Sequence, residues 1–204
     1  MAEKRPHVPL DQRRTELTRT AVKVMAREGA WTLTTRAVAK EAGVPHGTVH
    51  YVFSSKHELL ASVMQLDLSH LSEFAETVRG FDVSDADSVR AAVTQIFASY
   101  ADAVIADPDT ETAYFELSLM SARDPQLREI SARTHAEYRG VIGGMLEDLA
   151  TRAGLRWDAD MTVLAEQCVS VLFGAAVNWL EHRHDALFRA VLDDAAAALA
   201  RRLR

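Results

Sequence analysis

A group of polar side chains between positions 36 and 56 has the donors needed to bind nucleic acid. Arg36, His46, Thr48, Tyr51 and Lys56 all carry N–H or O–H groups. Arginine and lysine bind phosphate oxygens, and short polar side chains on a helix reach base edges in the major groove. These residue types therefore predict binding to duplex DNA rather than a chemical reaction.

No catalytic or metal-binding arrangement competes with this interpretation. The single cysteine, Cys168, has no histidine close to it in sequence and is expected to be a small buried hydrophobe. A glycine-rich phosphate loop and a His-Glu-x-x-His motif are both missing from the sequence. His182 and His184 are two residues apart, so their side chains diverge on a helix. We therefore predict no catalytic site, no metal site and no cofactor.

The charge distribution agrees with a DNA-binding N-terminal region, although the net charge of −6 alone would argue against it. Residues 1–57 carry ten Lys or Arg and five Asp or Glu, whereas the remainder carries thirteen and twenty-four. A basic head joined to an acidic body is typical of a small DNA-binding domain on a larger domain that does not bind DNA.

Short helices carry these polar side chains. Apolar residues at helical spacing predict a first helix over 11–28, closed by Gly29. Thr34 is a plausible N-cap for a second helix that Gly43 ends, and Pro45 suits the first turn of a third. The predicted small core is formed by one set of apolar side chains: Leu17, Val24, Trp31, Val38, Val49 and Phe53.

The rest of the chain also shows helical periodicity, and nothing in it predicts a strand. Ser55 and Glu58 form a capping box that opens a long fourth helix. Ser84 with Asp87 is expected to cap the fifth helix, and Asp124-Pro125 to open the seventh. We predict an all-α fold of about nine helices, with a helix-turn-helix domain over 1–57 and a helical bundle over 58–204.

The segment from Thr34 to Leu59 resembles the TetR family of helix-turn-helix repressors. The family pattern runs Thr-x-x-x-Ile-Ala-x-x-Ala-Gly-Val-Ser-x-Gly-x-Leu-Tyr-x-x-Phe-x-x-Lys-x-x-Leu. Identical or conservative residues stand at most of these positions here, within a match of about 50 residues: Thr34, Val38, Ala39, Ala42, Gly43, Val44, Gly47, Val49, Phe53, Lys56 and Leu59. Two positions depart from the pattern, Pro45 in place of Ser and His50 in place of Tyr.

The resemblance implies a role for each matched polar residue. Thr35 and Arg36 would face DNA from the second helix, and His46, Gly47 and Thr48 would approach base edges. His50 and Tyr51 would contact phosphates, as would Lys56 at the amino end of the fourth helix. Pro45 removes a side-chain cap. His50 has a shorter reach than tyrosine and would make DNA binding pH-sensitive.

The C-terminal region is expected to dimerise and to bind a small molecule. The last two predicted helices are apolar around most of their circumference, which predicts a four-helix interface in a homodimer that binds palindromic duplex DNA. Aromatic side chains on the apolar faces of the fifth to eighth helices predict an effector pocket: Phe97, Tyr100, Phe115, Tyr138 and Trp179. The effector would be a small apolar or amphipathic molecule of unknown identity.

These residues leave four candidate functions. The leading one is a repressor released from its operator by the effector, and the main alternative is a constitutive dimeric DNA-binding protein without an effector. An α-helical enzyme is disfavoured because no acid–base cluster is present, and a partner-binding adaptor is disfavoured by the basic head. The sequence contains no uninterrupted apolar run of about 18 residues, so no membrane span is predicted. Residues 1–10 lack a secretory signal, and we expect a cytoplasmic protein.

Overall fold

The computed structural model describes residues 9–204, which form nine α-helices and one short 3₁₀ turn at Ala30–Thr32 and contain no strand. The predicted all-α fold is therefore confirmed. The prediction that the N-terminus is not a secretory signal falls mainly on residues 1–8, which lie outside the described range. The helices are α1 (Leu10–Glu28), α2 (Thr35–Glu41), α3 (His46–Val52), α4 (Lys56–Arg79), α5 (Ala86–Ala106), α6 (Pro108–Arg123), α7 (Pro125–Arg152), α8 (Met161–His182) and α9 (Asp185–Ala200).

Local sequence signals set most of the helix starts. The Thr34 side chain accepts a hydrogen bond from the backbone N–H of Ala37, as expected of an N-cap. Asp124 Oδ1 likewise accepts from the N–H groups of Gln126 and Leu127, and Pro125 occupies the first position of α7.

The predicted start of α5 was wrong by one residue. Asp85, not Ser84, is the N-cap, and it forms a reciprocal capping box with Ser88. The segment Ser84-Asp85-Ala86-Asp87-Ser88 offers a capping side chain in either register. The Asp85 carboxylate accepts from the Ser88 N–H at 2.8 Å, while the Ser88 hydroxyl accepts from the N–H of Asp85 at 3.0 Å. This box satisfies two backbone donors at once, which fixes the register.

The described chain divides into two compact units by its internal contacts. The first runs to Asp67 and also includes Asp109–Ser131, and the second contains Leu68–Pro108 and Ala132–Arg204. In the first unit α1, α2 and α3 pack against one another around a core that also takes in residues of α4, α6 and the start of α7. The boundary predicted at residue 57 is a functional assignment and stays a prediction.

The second unit is built on α5, α8 and α9, which pack against one another. The chain returns after α9 to the segment before α8, where Arg156 and Arg204 exchange two backbone hydrogen bonds of 2.8 and 2.7 Å. Trp157 is buried at this point and donates its indole N–H to the carbonyl of Leu146 on α7. The end of α9 is thus tied to the α7–α8 connection.

Helix α8 is more exposed than its composition suggests. It is long and apolar enough to cross a membrane by length and hydropathy alone, a property that the search for apolar runs in the sequence had not detected. Only 33% of the residues in its most apolar window are buried in the described structure. The segment also carries polar residues such as Glu166, Gln167 and Asn178.

Candidate nucleic-acid interface

The turn between α2 and α3 depends on one glycine. Gly43 has a φ of 63°, in the left-handed region that residues with a Cβ rarely adopt. The N–H groups of Ala42 and Val44 bond back to the carbonyls of Val38 and Ala39, at 2.9 and 3.0 Å. These bonds satisfy the last carbonyls of α2 and turn the chain sharply into α3. The geometry is that of a helix-turn-helix.

Helix α3 begins without a side-chain cap. Pro45 occupies the N-cap position with φ −58°, and its carbonyl accepts the first helical bond from the N–H of Thr48 at 2.8 Å. Proline has a fixed φ but no side-chain oxygen to give the following N–H groups. The loss of a cap expected from the change of Ser to Pro45 is therefore present in the structure.

A fully buried core supports these two helices. Leu17 and Val24 of α1 meet Val38, Val49 and Phe53, and all five side chains are fully buried. One prediction for this core was wrong.

Trp31 is 51% exposed rather than buried. Gly29, with φ 88°, ends α1 and leads into the 3₁₀ turn, which places Ala30 and Leu33 in the core. Because the 3₁₀ turn interrupts the α-helical periodicity between Ala30 and Leu33, Trp31 lies on the surface.

The eight predicted DNA-contacting residues lie at or near the surface of the first unit. None of the eight is classed as buried: Arg36, Gly47, His50 and Tyr51 are exposed, and Thr35, His46, Thr48 and Lys56 are partly exposed. Tyr51 is 79% exposed, although tyrosine carries a large apolar ring. Partial burial lowers the pKa of the Lys56 ammonium group. A partly desolvated cation gains from an anionic partner.

Three of these residues form one hydrogen-bonded group. The Thr35 hydroxyl of α2 lies 3.1 Å from His46 Nε2 at the first position of α3. His46 Nε2 also lies 3.1 Å from His50 Nε2, and the two rings meet edge to face with centroids 4.4 Å apart. The contact between Thr35 and His46 joins α2 to the start of α3 in the protein without DNA.

Arg14 was missed by the sequence analysis and anchors the turn that follows α3. Its Nη1 donates to the carbonyl of Val52 at 3.2 Å and to Glu58 Oε1 at 2.8 Å, and its guanidinium lies 4.7 Å from the centre of the Phe53 ring. Glu58 Oε2 accepts from the N–H and hydroxyl of Ser54. The hydrogen bonds from Arg14 and Ser54 lower the pKa of Glu58 to about 2.

The predicted capping box of α4 is present in altered form. Ser55 Oγ accepts from the backbone N–H of Glu58 at 3.1 Å, as predicted. The Glu58 carboxylate, however, bonds to the N–H of Ser54 rather than that of Ser55. The other carboxylate oxygen of Glu58 accepts from Arg14 on α1, 44 positions away in sequence, so a local motif alone could not reveal this contact.

Two contacts within the first unit join the helix-turn-helix to α6 and α7. The Glu116 carboxylate of α6 accepts a hydrogen bond from the backbone N–H of Ala30, next to the turn at Gly29. His57 Nε2 at the start of α4 lies 2.9 Å from Asp124 Oδ2, just before α7. The hydrogen bond from His57 lowers the pKa of Asp124. The first contact lies just after the end of α1, and the second lies at the start of α4.

The predicted effector residues are divided between the two units. Phe97 and Trp179 are buried, and Tyr100 and Tyr138 are partly buried, all in the second unit, whereas Phe115 is partly buried in the first. A groove of about 510 Å³ in the second unit contains none of them. Its lining comes from α7 and α8: Arg139, Thr162, Val163, Glu166, Gln167, Ser170 and Val171.

Trp179 has a full set of partners at the corner between α8 and α9. Its indole N–H donates to Asp185 Oδ1 at 2.8 Å, and its ring stacks on Phe188 with centroids 5.7 Å apart. The Arg183 guanidinium lies 4.6 Å from the ring centre. Arg183 itself adopts a φ of 53° where α8 ends. These contacts favour a structural role for Trp179 in closing the corner.

Comparison with known proteins identifies the N-terminal domain. Residues 17–63 match the family model of the DNA-binding domain described as bacterial regulatory proteins of the tetR family. This range includes α2, the Gly43 turn and α3, together with the core beneath them. The chain is 26% identical over 140 residues to the HTH-type nicotine-responsive transcriptional repressor HdnoR of Paenarthrobacter nicotinovorans, covering 69% of this chain and 70% of that protein.

Solved structures share the fold along nearly the whole chain. A TetR transcription regulator from Haloarcula marismortui matches with a TM-score of 0.76 at 15% identity, covering 95% of this chain and 100% of that one. The fatty acid degradation regulator FadR from Bacillus halodurans matches with a TM-score of 0.73 at 16% identity, covering 96% and 97%. Residues 17–63 are thus similar to the tetR family of bacterial regulatory proteins, and the chain as a whole has the fold of solved TetR-type transcription regulators.

Proposed function

We propose that this chain is a homodimeric repressor of the TetR family that binds a palindromic operator through α2 and α3 and leaves it when a small organic effector binds. Residues 1–57 are the DNA-binding domain and residues 58–204 the effector-binding and dimerisation domain in this proposal. The protein works in the cytoplasm, where its operator is. The repressor role is supported by the name of the curated relative, which is a transcriptional repressor.

The observation that carries the proposal is the exposed polar face of a preformed helix-turn-helix. Arg36, His50 and Tyr51 extend from α2 and α3 above a core in which Val38 and Val49 are fully buried. A rigid support with exposed donors is the arrangement that reads DNA with little loss of conformational freedom on binding.

Each polar residue has a role in this proposal. Arg36 with Thr35 contacts DNA from α2, and His46, Gly47 and Thr48 at the start of α3 approach base edges in the major groove. Exposed Gly47 has open space around its Cα, so the backbone there is free to lie close to the DNA. The phosphate contacts come from the remaining three residues: His50, Tyr51 and Lys56.

The dimer forms through α8 and α9. Val177 on α8 is 47% exposed, and Leu187 and Val191 on α9 are 59% and 45% exposed, an apolar surface on two adjacent helices. A second copy of the same surface would cover it, because a two-fold axis places identical patches against each other. Each head binds one half-site, so the dimer also explains the need for a palindromic operator.

The effector site lies in the helical domain and takes an apolar or amphipathic molecule of modest size. Phe97, Tyr100 and Tyr138 supply aromatic surface and two hydroxyl groups, the usual composition of small-molecule sites. Trp179 belongs to the same proposed set, although its contacts described above give it a structural role as well. The relative's name describes a response to nicotine, an amphipathic organic base, which supports this class of ligand.

A constitutive regulator without an effector remains the second candidate. The observation that favours it is the set of contacts by which Trp179, one of the predicted effector residues, closes the corner between α8 and α9. In that case the second unit would only dimerise.

One experiment in two stages tests the proposal. Bound sequences are selected from random duplexes, and the resulting operator is then used to screen amphipathic organic compounds, nicotine included, for release of the protein. Recovery of a palindrome and release by at least one compound class are the expected results. Failure to enrich any sequence would contradict specific DNA binding, whereas enrichment without release by any compound would leave the constitutive regulator as the function.

A further inference from the structure

The arrangement of His46 and His50 has a second chemical consequence. The two Nε2 atoms face each other at 3.1 Å, with the Thr35 hydroxyl 3.1 Å from one of them. Two N–H groups cannot point at each other at this distance, so at least one nitrogen must present a lone pair to the other. A basic nitrogen is therefore already directed at the space between the rings.

The same spacing suits a shared metal ion. Imidazole nitrogens bind Zn²⁺ at about 2.0–2.1 Å, so two nitrogens about 3.1 Å apart would subtend roughly 100° at an ion bound to both, close to a tetrahedral angle. Histidines four residues apart on one helix face are a known metal-binding arrangement. His50 stands where the family pattern has tyrosine, so this pair arises from a departure of this chain from its family.

We propose that His46 and His50 form a two-imidazole site for a late first-row divalent ion such as Zn²⁺, Ni²⁺ or Cu²⁺, and that an ion bound there prevents specific DNA binding. No three His, Cys, Asp or Glu side chains group into a metal site within residues 9–204, so water completes the coordination. The Thr35 hydroxyl is placed to hydrogen-bond one such water. The sequence had predicted no metal site, because His46 and His50 were interpreted only as DNA contacts.

An ion at this site acts against the operator complex for two reasons. It occupies both Nε2 atoms, so neither imidazole can bond to a base or a phosphate through that atom. The ion with its waters also fills space beside Gly47, at the end of α3 that must approach the base edges. The added positive charge attracts phosphates, but this attraction is screened by salt and does not depend on sequence. Specific binding should therefore fall more than non-specific binding. This part of the inference rests on the proposed DNA-contacting role of α3.

The first test measures metal binding by the full-length protein in the absence of DNA. Calorimetric titration with Zn²⁺, and electron paramagnetic resonance with Cu²⁺ to count bound nitrogens, should show one site with two imidazole ligands. His46→Gln and His50→Gln should each weaken it by about tenfold or more, since loss of a ligand costs at least as much as loss of an outer-sphere partner. His182→Gln, which alters an exposed histidine outside the site, is the matched control and should bind as the wild type does. Circular dichroism checks that each variant is folded.

The second test compares operator affinity with and without Zn²⁺ for each protein separately. Saturating Zn²⁺ should reduce the affinity of the wild type and of His182→Gln by about tenfold or more, and have little effect on His50→Gln. Metal binding that is unchanged in His46→Gln and His50→Gln would overturn the site. Metal binding at the site with no change in operator affinity would overturn the exclusion of DNA. Absence of operator binding without any metal would instead contradict the proposed function itself.

Discussion

The imidazole of His57 lies 2.9 Å from the carboxylate of Asp124, and this contact joins the start of α4 to the start of α7. Asp124 has two functions there, because its other oxygen caps α7 by accepting from the N–H groups of Gln126 and Leu127. The residue before His57 is Lys56, the proposed phosphate contact. The position of this cation is thus linked to the junction of α6 and α7.

Substitutions at Asp124 should separate these two functions. Asp124→Asn retains a capping oxygen but loses the charge, whereas Asp124→Ala loses both, so the melting temperature at pH 7 should fall in the order wild type, Asn, Ala. The pKa of Asp124 is lowered in the folded protein, so its charge stabilises the fold above the ordinary carboxyl value and this contribution is lost as the pH falls through the folded value. Thermal melts from pH 3 to pH 7 test both points. An Asn variant as unstable as the Ala variant would show that the cap contributes nothing.

The Arg14–Glu58 pair should make the stability of the first unit sensitive to acid. Arg14 and Ser54 lower the pKa of Glu58 from 4.5 to about 2, so ionised Glu58 stabilises the fold above pH 4.5 and loses this effect as the pH falls toward 2. The side chains are about a third exposed, which limits the contribution to about 1 kcal/mol or less.

Glu58→Gln is the variant that tests this effect. It should lower stability at pH 7 and flatten the acid dependence between pH 4.5 and pH 2, as measured by urea unfolding. Glu76→Gln, a change at an exposed glutamate of the same helix paired only with Arg79 at i+3, is the control. Equal acid dependence in the wild type and Glu58→Gln would contradict the role assigned to this pair.

Substitutions in the head should separate affinity from specificity. Lys56→Ala should weaken binding to all sequences about equally and reduce the salt slope by about 1, because one phosphate contact is lost. Arg36→Ala and Thr48→Ala should cost about 1–3 kcal/mol on the selected operator and less on random DNA. Fluorescence anisotropy at several salt concentrations provides all of these values. Equal losses on the two DNAs for Arg36→Ala would show that Arg36 does not read bases.

Charged residues on the exposed apolar face of α8 and α9 should produce monomers. Val177→Glu and Leu187→Glu place a carboxylate on side chains that are 47% and 59% exposed, so the single chain tolerates them while a dimer interface does not. Sedimentation should show monomers at micromolar concentration, and operator binding should be lost because one head binds one half-site. Leu119→Glu, at a residue of α6 that is 63% exposed, is the control and should remain dimeric. A wild-type monomer at micromolar concentration would refute the interface.

The buried positions on α8 show why this choice needed the structure. Of two neighbouring alanines on this helix, Ala175 is only partly buried, whereas Ala176 is fully buried within its own chain. A charge there would unfold the protein instead of separating a dimer. Helical periodicity cannot assign the two faces of a helix that is apolar nearly all round, so Val177 had to be located from its exposure.

Local signals in the sequence were sufficient for helix starts and for the turn between α2 and α3, and insufficient for contacts between distant segments. Thr34, Gly43 and Asp124 act within a few residues of their own positions, and their predicted roles are confirmed. Trp31 is exposed because it lies in a 3₁₀ turn, which does not follow the α-helical periodicity used for the prediction. The contact of Arg14 with Glu58 joins residues 44 positions apart, and only the packed fold brings them together.

The buried thiol of Cys168 makes the chain convenient for site-specific labelling. Burial raises the pKa of Cys168 to about 11, so roughly one thiol in ten thousand is ionised at pH 7. A maleimide or a nitroxide reagent attacks the thiolate, and the native cysteine should therefore stay unlabelled. A second cysteine introduced at a site as exposed as Tyr51 would carry the only reactive sulfur among residues 9–204. In the proposed dimer, spin labels on the two protomers would then report the separation of their α3 helices, with the native sequence otherwise intact.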